Sequence, residues 1–195
     1  MIFLTAGFET TANTIGSMIC LLANNPEEQE KIVTEINDQL GSDEITHDNI
    51  QVLDYLEACI KETLRMCPPV VEVFRHCSKD TEIKGLKIKK GTKIQMPIYA
   101  AHYHPEFYPE PYKFKPERFL KENDDQITPY TWRPFGAGNR SCIGQRFSLM
   151  EIKIFMAKLL SKYKLIPTER TRFKYLNSSF ALSYPDMIAK IEERY

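Results

Sequence analysis

Apolar residues recur at helical spacing in four stretches of the chain, with polar residues on the opposite face. The stretches are residues 2–23, 26–40, 46–66 and 144–164. Asn25 precedes Pro26 as an N-cap for the second stretch, and Pro68 closes the third, because a proline pushes the residue before it out of the helical region. The pattern therefore predicts four helices and a mainly helical chain.

Between the third and fourth helices the pattern changes. Residues 81–101 alternate with a period of two around turns at Lys84-Gly85 and Lys90-Gly91, which predicts a small antiparallel sheet. Residues 104–134 combine prolines with aromatic side chains, so we expect an ordered meander with little regular structure. Residues 165–195 resemble short strands and turns. A chain of 195 residues is expected to form one globular unit.

Composition narrows the class of protein. Lys and Arg number 26, Asp and Glu also number 26, and no long basic run occurs, so nucleic acid is not an expected partner. The five cysteines have no short regular spacing, which argues against a disulfide framework and fits thiols in a reducing compartment. The first residues lack the features of a signal peptide, and no window approaches the roughly 18 uninterrupted apolar residues of a membrane span.

A zinc site is a possible interpretation of one cluster in the sequence. The cluster contains His76, His102, His104, Cys67 and Cys77. These residues lack the C-x-x-C and H-x-x-x-H spacings of zinc sites, so core or surface histidines are the better interpretation.

Residues 135–144 carry the densest chemical signal, a complete match to F-x-x-G-x-R-x-C-x-G. Gly136 and Gly138 allow a turn tight enough for backbone N–H groups to face the sulfur, and Gly144 leaves room where a flat ligand would press on the loop. Cys142 precedes a predicted helix, whose N-terminal dipole favours the thiolate form. The alternative is a glycine-rich turn with an ordinary buried cysteine.

Within the same match, Arg140 supplies a cation for a carboxylate ligand. Three further patterns precede it. Glu62 and Arg65 form an E-x-x-R pair on one helical face, residues 116–119 read Pro-Glu-Arg-Phe, and residues 6–11 place an acid and an alcohol after a glycine within the first helix. Each is weak alone, since a helical Thr ordinarily bonds back to its own helix.

In this order, the four patterns resemble the cytochrome P450 family of haem-thiolate monooxygenases, over residues 2 to about 185, and most of all its animal microsomal members. The resemblance implies the C-terminal half of the P450 fold, mainly α with a small antiparallel β-sheet. Residues 1–195 would form a partial haem-binding domain that starts inside the distal oxygen-binding helix, with the N-terminal half absent.

The resemblance also implies roles for particular residues. Cys142 would be the axial ligand of the haem iron, with Phe135 packed on its proximal side and Gly136 and Gly144 shaping the loop. Arg75 and Arg140 would neutralise the two haem carboxylates. A structural ion triad would join the meander to the core, and a distal pair would handle oxygen and protons. The triad is Glu62, Arg65 and Arg118, and the distal pair is Thr10, which would bond dioxygen, and Glu9, which would deliver protons.

The implied activity is insertion of one atom of dioxygen into a lipophilic organic substrate, with haem b as cofactor. Electrons would come from NADPH through a flavoprotein reductase, docked near the basic residues Lys113, Lys115, Arg133 and Arg146. The apolar pocket would be lined by residues 2–10, 69–74 and 177–181. The full-length relative would lie on the cytoplasmic face of the endoplasmic reticulum membrane, through an N-terminal anchor that this chain lacks.

Two alternatives stay open at this point. One is an isomerase or dehydratase of the same fold, against which Thr10 argues, since members of that kind tend to lack the distal threonine. The other is a truncated, non-catalytic haem-binding fragment, which the short length of the chain favours.

Overall fold

Five helices and three strand pairs make up the computed structural model, which describes residues 2–171 and 188–194. The helices are α1 (Ile2–Asn24), α2 (Pro26–Leu40), α3 (Asp54–Met66), α4 (Ile98–His102) and α5 (Gln145–Lys162). The strands are β1 (Glu72–His76), β2 (Thr81–Ile83), β3 (Leu86–Ile88), β4 (Lys93–Pro97), β5 (Tyr163–Pro167) and β6 (Ala189–Glu193). Short 3₁₀ helices span Ile50–Val52, Pro116–Phe119, Lys121–Gln126 and Gly138–Arg140. The predicted mainly helical chain with small antiparallel sheets is confirmed.

The strands of the described residues form three separate two-stranded antiparallel sheets. The predicted single sheet over residues 81–101 is wrong in detail, because β4 pairs with β1, with Arg75 opposite Ile94, and only β2 pairs with β3. The last residues of that range turn into α4. β5, which directly follows α5, pairs with β6 near the C-terminus. The pocket segment expected at residues 177–181 lies outside the described residues.

One hydrophobic core lies between α1, α2, α3, α5 and β5. Its largest fully buried side chains include Met18, Ile32, Ile60 and Met156. Burying side chains of this size stabilises the folded state by about 1.5–3 kcal/mol each. The core fixes α3 and α5, which carry the two motifs of greatest chemical interest.

α3 begins later than the sequence pattern predicts. A 3₁₀ turn at Ile50–Val52 precedes it, and Leu53 leaves the helical region. The Glu35 carboxylate on α2 accepts hydrogen bonds from the Tyr55 N–H at 2.6 Å and the Leu56 N–H at 3.0 Å. A side chain distant in sequence therefore caps α3, which no local pattern at residues 46–48 reveals.

The start of α2 follows the prediction at Pro26, but its capping differs. The Asn25 side chain makes no cap bond to α2, and its Nδ2 instead donates to the Leu21 carbonyl in the last turn of α1. Asn25 thus satisfies a carbonyl at the end of one helix rather than an N–H at the start of the next.

α5 is also held to α3 by a buried cation. Lys153 Nζ lies 3.1 Å from Glu57 Oε2 and 3.5 Å from the Gln51 carbonyl. The Lys153 ammonium group is buried and must therefore be bonded within the protein, so these partners fix the register between the two helices. Within the described part of the chain, no helix is both long and apolar enough to cross a membrane.

Candidate functional site

The segment Phe135–Gly144, named here the cysteine loop, is a tight turn closed on itself. The Cys142 N–H donates to the Phe135 carbonyl at 2.8 Å, and the Ser141 N–H donates to the Gly138 carbonyl at 3.0 Å. Gly136 and Gly138 have φ values of 75° and 71°, a region that L side chains rarely adopt. These backbone conformations explain why glycine occupies both positions, as the sequence analysis expected.

The Cys142 side chain is exposed at the end of this loop, directly before α5. This differs from the alternative of an ordinary buried cysteine. A Cβ atom added at Gly144 would lie 3.9 Å from the sulfur, so the glycine keeps the space beside Sγ open. Ile143 and Phe147, which follow Cys142 in the sequence, are 86% and 73% exposed. An accessible sulfur close in sequence to exposed apolar side chains suits a flat, largely apolar ligand.

Two arginines predicted to bind carboxylates have free donor groups. Arg140 is exposed at the end of the 3₁₀ turn in the cysteine loop. Arg75 is half-buried on β1, and its Nη1 donates to the neighbouring Phe74 carbonyl at 2.8 Å. Neither guanidinium pairs with a carboxylate among residues 2–171 and 188–194. Both can accept an anionic ligand without breaking an existing ion pair.

The E-x-x-R pair is fully buried, with no exposed side-chain surface on Glu62 or Arg65. Arg65 Nε lies 2.7 Å from Glu62 Oε2, and Nη2 lies 2.9 Å from Oε1, so the guanidinium and carboxylate form a bidentate fork. The Lys115 N–H adds a bond of 2.9 Å to Glu62 Oε1. The meander is thereby joined to α3.

Arg118 is a looser third member. Its Nε lies 3.5 Å from Glu62 Oε1 and makes no hydrogen bond, while Nη2 donates to the Glu110 carbonyl at 3.0 Å. Burial raises the pKa of the Glu62 carboxyl, and the nearby Arg65 and Arg118 cations oppose that rise. The structure thus places all three predicted residues together, with one short pair and one longer contact.

The distal pair lies near the start of α1. Thr10 Oγ1 donates to the Ala6 carbonyl at 2.6 Å, which is the ordinary back-bond of a helical threonine. Glu9 is exposed. The oxygen and proton roles of these two residues stay predictions.

The family model described as cytochrome P450 matches residues 1–190. The chain belongs to the cytochrome P450 family. At family level, P450s are haem-thiolate oxidoreductases, and the helices and small antiparallel sheets described above are those of a partial P450 fold.

Three similar relatives are members of the 3A group. Cytochrome P450 3A19 from Capra hircus aegagrus is 39% identical over 99% of this chain and 90% of that sequence. Cytochrome P450 3A31 from Mesocricetus auratus is 38% identical over 100% of this chain and 39% of that sequence. Cytochrome P450 3A6 from Oryctolagus cuniculus is 43% identical over 84% of this chain and 33% of that sequence. The chain thus spans about a third to two fifths of the length of the latter two P450s.

His102 on α4 is a core histidine, as one of the two interpretations of the sequence had it, but sequence patterns gave it no role beside the Glu62 and Arg65 pair of this P450. It is fully buried, and its Nδ1 lies 3.0 Å from the Arg65 carbonyl, while its Nε2 lies 3.0 Å from the Arg133 backbone nitrogen. Arg65 Nη1 returns a bond of 2.8 Å to the His102 carbonyl. The set Glu62, Arg65, His102 and Arg118 is named the ion-pair core below. No spacing in the sequence signals His102, because its partners are distant along the chain.

A second missed network joins α2, α3 and the Pro-Glu-Arg-Phe turn of this P450. Lys31 Nζ lies 3.1 Å from the Glu28 carboxylate and 2.7 Å from Glu117 Oε1. The Tyr55 hydroxyl donates to the Glu28 carboxylate and also lies 3.1 Å from Glu117 Oε1. The Lys31 ammonium holds the pKa of the Glu117 carboxyl below its usual value, against the effect of burial. Glu117 thus anchors the meander independently of Arg118.

The basic residues predicted to receive a reductase are only partly available. Lys113 and Lys115 both pair with Glu110, which lowers the pKa of that carboxyl to about 2. Arg133 is half-buried, whereas Arg146 is exposed at the start of α5. A docking surface at the P450 cysteine loop would therefore rest on Arg146 rather than on the two lysines.

Proposed function

We propose that this chain is the haem-holding part of a monooxygenase, with the Cys142 thiolate as axial ligand of haem b. The observation that carries the proposal is the exposed Cys142 sulfur, presented by a glycine turn directly before α5, with space kept open by Gly144. The guanidinium groups of Arg75 and Arg140, which pair with no carboxylate among the described residues, match the two carboxylates of haem in charge. Family membership supports the same cofactor.

When bound, haem supplies the chemistry that activates dioxygen. The Cys142 thiolate would hold the iron and donate electron density to it. Arg140 and Arg75 would neutralise the haem carboxylates, and the Phe135 ring, which packs on Trp132 at 6.4 Å between centroids, would keep the proximal side apolar. Each of these tasks is one of binding and orientation.

On the distal side, Thr10 would make a hydrogen bond at the dioxygen site, and the Glu9 carboxyl would deliver protons there. The Thr10 hydroxyl donates to the Ala6 carbonyl, so its Oγ1 lone pairs can accept a hydrogen bond from a proton donor. The substrate would be a lipophilic molecule bound beside residues 2–10 and 69–74, a class favoured by the apolar residues of these segments.

The complete protein would take electrons from NADPH through a flavoprotein reductase that docks near Arg146. It would act on the cytoplasmic face of the endoplasmic reticulum membrane. The similarity to 3A relatives from animals supports both parts of this proposal.

The absorption spectrum of the reduced, carbon monoxide-bound protein tests the central assignment. The wild-type chain reconstituted with haem should show the red-shifted Soret band of a thiolate ligand, and Cys142→Ala should lose it. Cys77→Ala is the matched control, since Cys77 is also partly accessible but follows β1, outside the cysteine loop, and it should keep the band. A thiolate band retained in Cys142→Ala would overturn the proposal.

An isomerase or dehydratase of the same fold is the alternative that the presence of Thr10 argues against, and Thr10 also provides the test that separates the two functions. The two functions predict different results for Thr10→Ala in the intact enzyme. In a monooxygenase, this change should divert reducing equivalents into hydrogen peroxide. A lipid peroxide rearranged without any reductase, with no effect of Thr10→Ala, would instead establish the alternative.

A further inference from the structure

The buried His102 ring lies where three parts of the chain meet. α4 carries it, α3 supplies the Arg65 carbonyl 3.0 Å from Nδ1, and the segment that leads into the cysteine loop supplies the Arg133 N–H 3.0 Å from Nε2. The ring has no exposed surface. Both ring nitrogens are therefore used by backbone groups, one on each side.

These partners select a single tautomer. The Arg65 carbonyl can only accept, so Nδ1 must carry the proton, and the Arg133 N–H can only donate, so Nε2 must be bare. Burial and the cations of Arg65 and Arg133 lower the pKa of His102 to about 3, so the ring stays neutral near pH 7. His102 thus acts as a rigid bridge with one donor end and one acceptor end.

The bridge continues into the loop that carries the sulfur. The Arg133 carbonyl accepts the Gly136 N–H at 3.0 Å, and the Phe135 carbonyl accepts the Cys142 N–H at 2.8 Å. A shift of the Arg133 backbone would therefore displace Gly136 and, next to it, the Phe135 carbonyl that closes the loop at Cys142. Toward α3, Arg65 Nη1 donates to the His102 carbonyl at 2.8 Å. The His102 ring and the His102 backbone are therefore both bonded to α3.

We propose that His102 is a positioning residue, which fixes the cysteine loop to α3 so that the Cys142 sulfur is held at the place and angle that thiolate ligation of haem requires. The inference rests on the proposed function of Cys142 and adds to it a residue outside the sequence motifs. The ordinary alternative is a buried histidine that only fills space and satisfies backbone groups.

A parallel anchor makes the inference testable without loss of the fold. Trp132 Nε1 donates to the Lys61 carbonyl at 3.1 Å, so the segment before the loop stays attached to α3 when the His102 bridge is removed. The Trp132 ring also packs on Phe119 at 5.7 Å between centroids. Loss of His102 should therefore loosen the loop locally.

The experiment compares His102→Leu, His102→Gln and the control His104→Gln in the haem-reconstituted chain. Leucine leaves the Arg65 carbonyl and the Arg133 N–H without partners, whereas the glutamine amide offers one donor and one acceptor and should restore both bonds. His104 is exposed and lies two residues away. Circular dichroism and haem content per chain are measured first, so that folding and loading are known for each variant.

The decisive readout is the rate at which the thiolate Soret band of the reduced carbonyl complex converts to the band of the thiol-ligated form. We expect His102→Leu to convert about 10-fold faster or more, the size of effect that loss of an outer-shell partner has at metal sites. His102→Gln and His104→Gln should convert at the wild-type rate. If His102→Leu, folded and loaded, keeps the wild-type rate and iron midpoint potential, the inference is wrong.

A measurement that needs no haem covers the case in which His102→Leu does not fold. Nitrogen-15 spectra of the histidine rings in the wild-type chain should show one ring, absent in His102→Gln, with Nδ1 protonated and Nε2 bare from pH 7 to pH 5. A protonated Nε2 would overturn the bridge. If the wild-type chain itself lacks the thiolate band, the Cys142 assignment fails, a result distinct from equal rates in wild type and His102→Leu.

Discussion

The ion-pair core and the cysteine loop are neighbours with opposite physical character. In the core, Glu62, Arg65 and His102 have no contact with water, and the protein itself supplies partners for their charged and polar groups. In the loop, Cys142 and Arg140 are exposed. Hydrogen bonds between His102 and the Arg133 N–H, and between Trp132 and the Lys61 carbonyl, connect α4 and α3 to the segment that leads into the loop.

The difference separates residues that hold the site from residues that bind a ligand. Polar groups removed from water must be bonded within the protein, since an unpaired buried group costs about 1–3 kcal/mol or more. Groups left exposed beside a glycine turn carry no such requirement and are available to a cofactor. Substitutions should therefore affect stability in the core and ligand binding in the loop.

The largest effect on stability is expected for Arg65→Lys. The ammonium group keeps the charge but cannot form the fork to Glu62 or reach the His102 and Pro111 carbonyls together. Breaking a buried pair of this kind costs about 3–5 kcal/mol in the free energy of unfolding. Urea denaturation followed by circular dichroism measures it, and a loss under 1 kcal/mol would show that the fork is dispensable.

Acid should produce the next largest effect, through His102. Its pKa is lowered from 6.5 in the unfolded chain to about 3 in the folded one, so protons bind preferentially to the unfolded state. The stability present above pH 6.5 is lost as pH falls toward 3, by about 2 kcal/mol at pH 5.

The matched comparison is the pH dependence of unfolding in wild type and His102→Gln. Glu62, whose raised pKa acts in the opposite direction, titrates in both proteins, so the difference between the two curves isolates His102. Parallel curves between pH 7 and pH 4 would mean that His102 is not buried as a neutral ring.

A smaller loss of stability is expected for Arg118→Lys. The Arg118 guanidinium has one good bond, to the Glu110 carbonyl, and lies 3.5 Å from Glu62. Lysine keeps the charge near Glu62, and loss of one hydrogen bond costs about 1 kcal/mol. Urea denaturation again measures the free energy of unfolding. The control is Lys121→Gln, which removes an exposed ion pair with Asp54. A cost equal to that of Arg65→Lys would mean that the three residues act as one unit.

The smallest effect on stability, within about 0.5 kcal/mol, is expected for Arg140→Ala, because this side chain is exposed. The haem affinity of the Arg140→Ala variant should fall about 10-fold, which corresponds to the loss of one charge-assisted hydrogen bond. Haem titration followed by absorption measures the affinity, and Arg146→Ala, another exposed arginine near the loop, is the control. Equal affinity in both variants and wild type would remove Arg140 from the cofactor site.

Local patterns were sufficient where the physics is local. The cysteine loop depends on glycines that take positive φ values within a few residues of Cys142, and the fork of Glu62 and Arg65 depends on a spacing of three on one helix. The helix starting at Pro26 is equally local, since proline favours the first helical position. For these elements, the residues that interact are also neighbours in the sequence.

Only the tertiary structure decided the features whose partners are distant along the chain. Glu35 caps α3 from 20 residues away, His102 meets the Arg133 N–H across 31 residues, and Trp132 bonds to Lys61 across 71. The strand Glu72–His76 likewise was not predicted from its own sequence, and its pairing with β4 defines it. A single side chain that satisfies a distant backbone group leaves no periodic or compositional trace, because the same residue type occurs as freely on a surface. The sequence alone thus determined the motif that presents the sulfur, and the packing of α3, α4 and the meander determined what holds that motif in place.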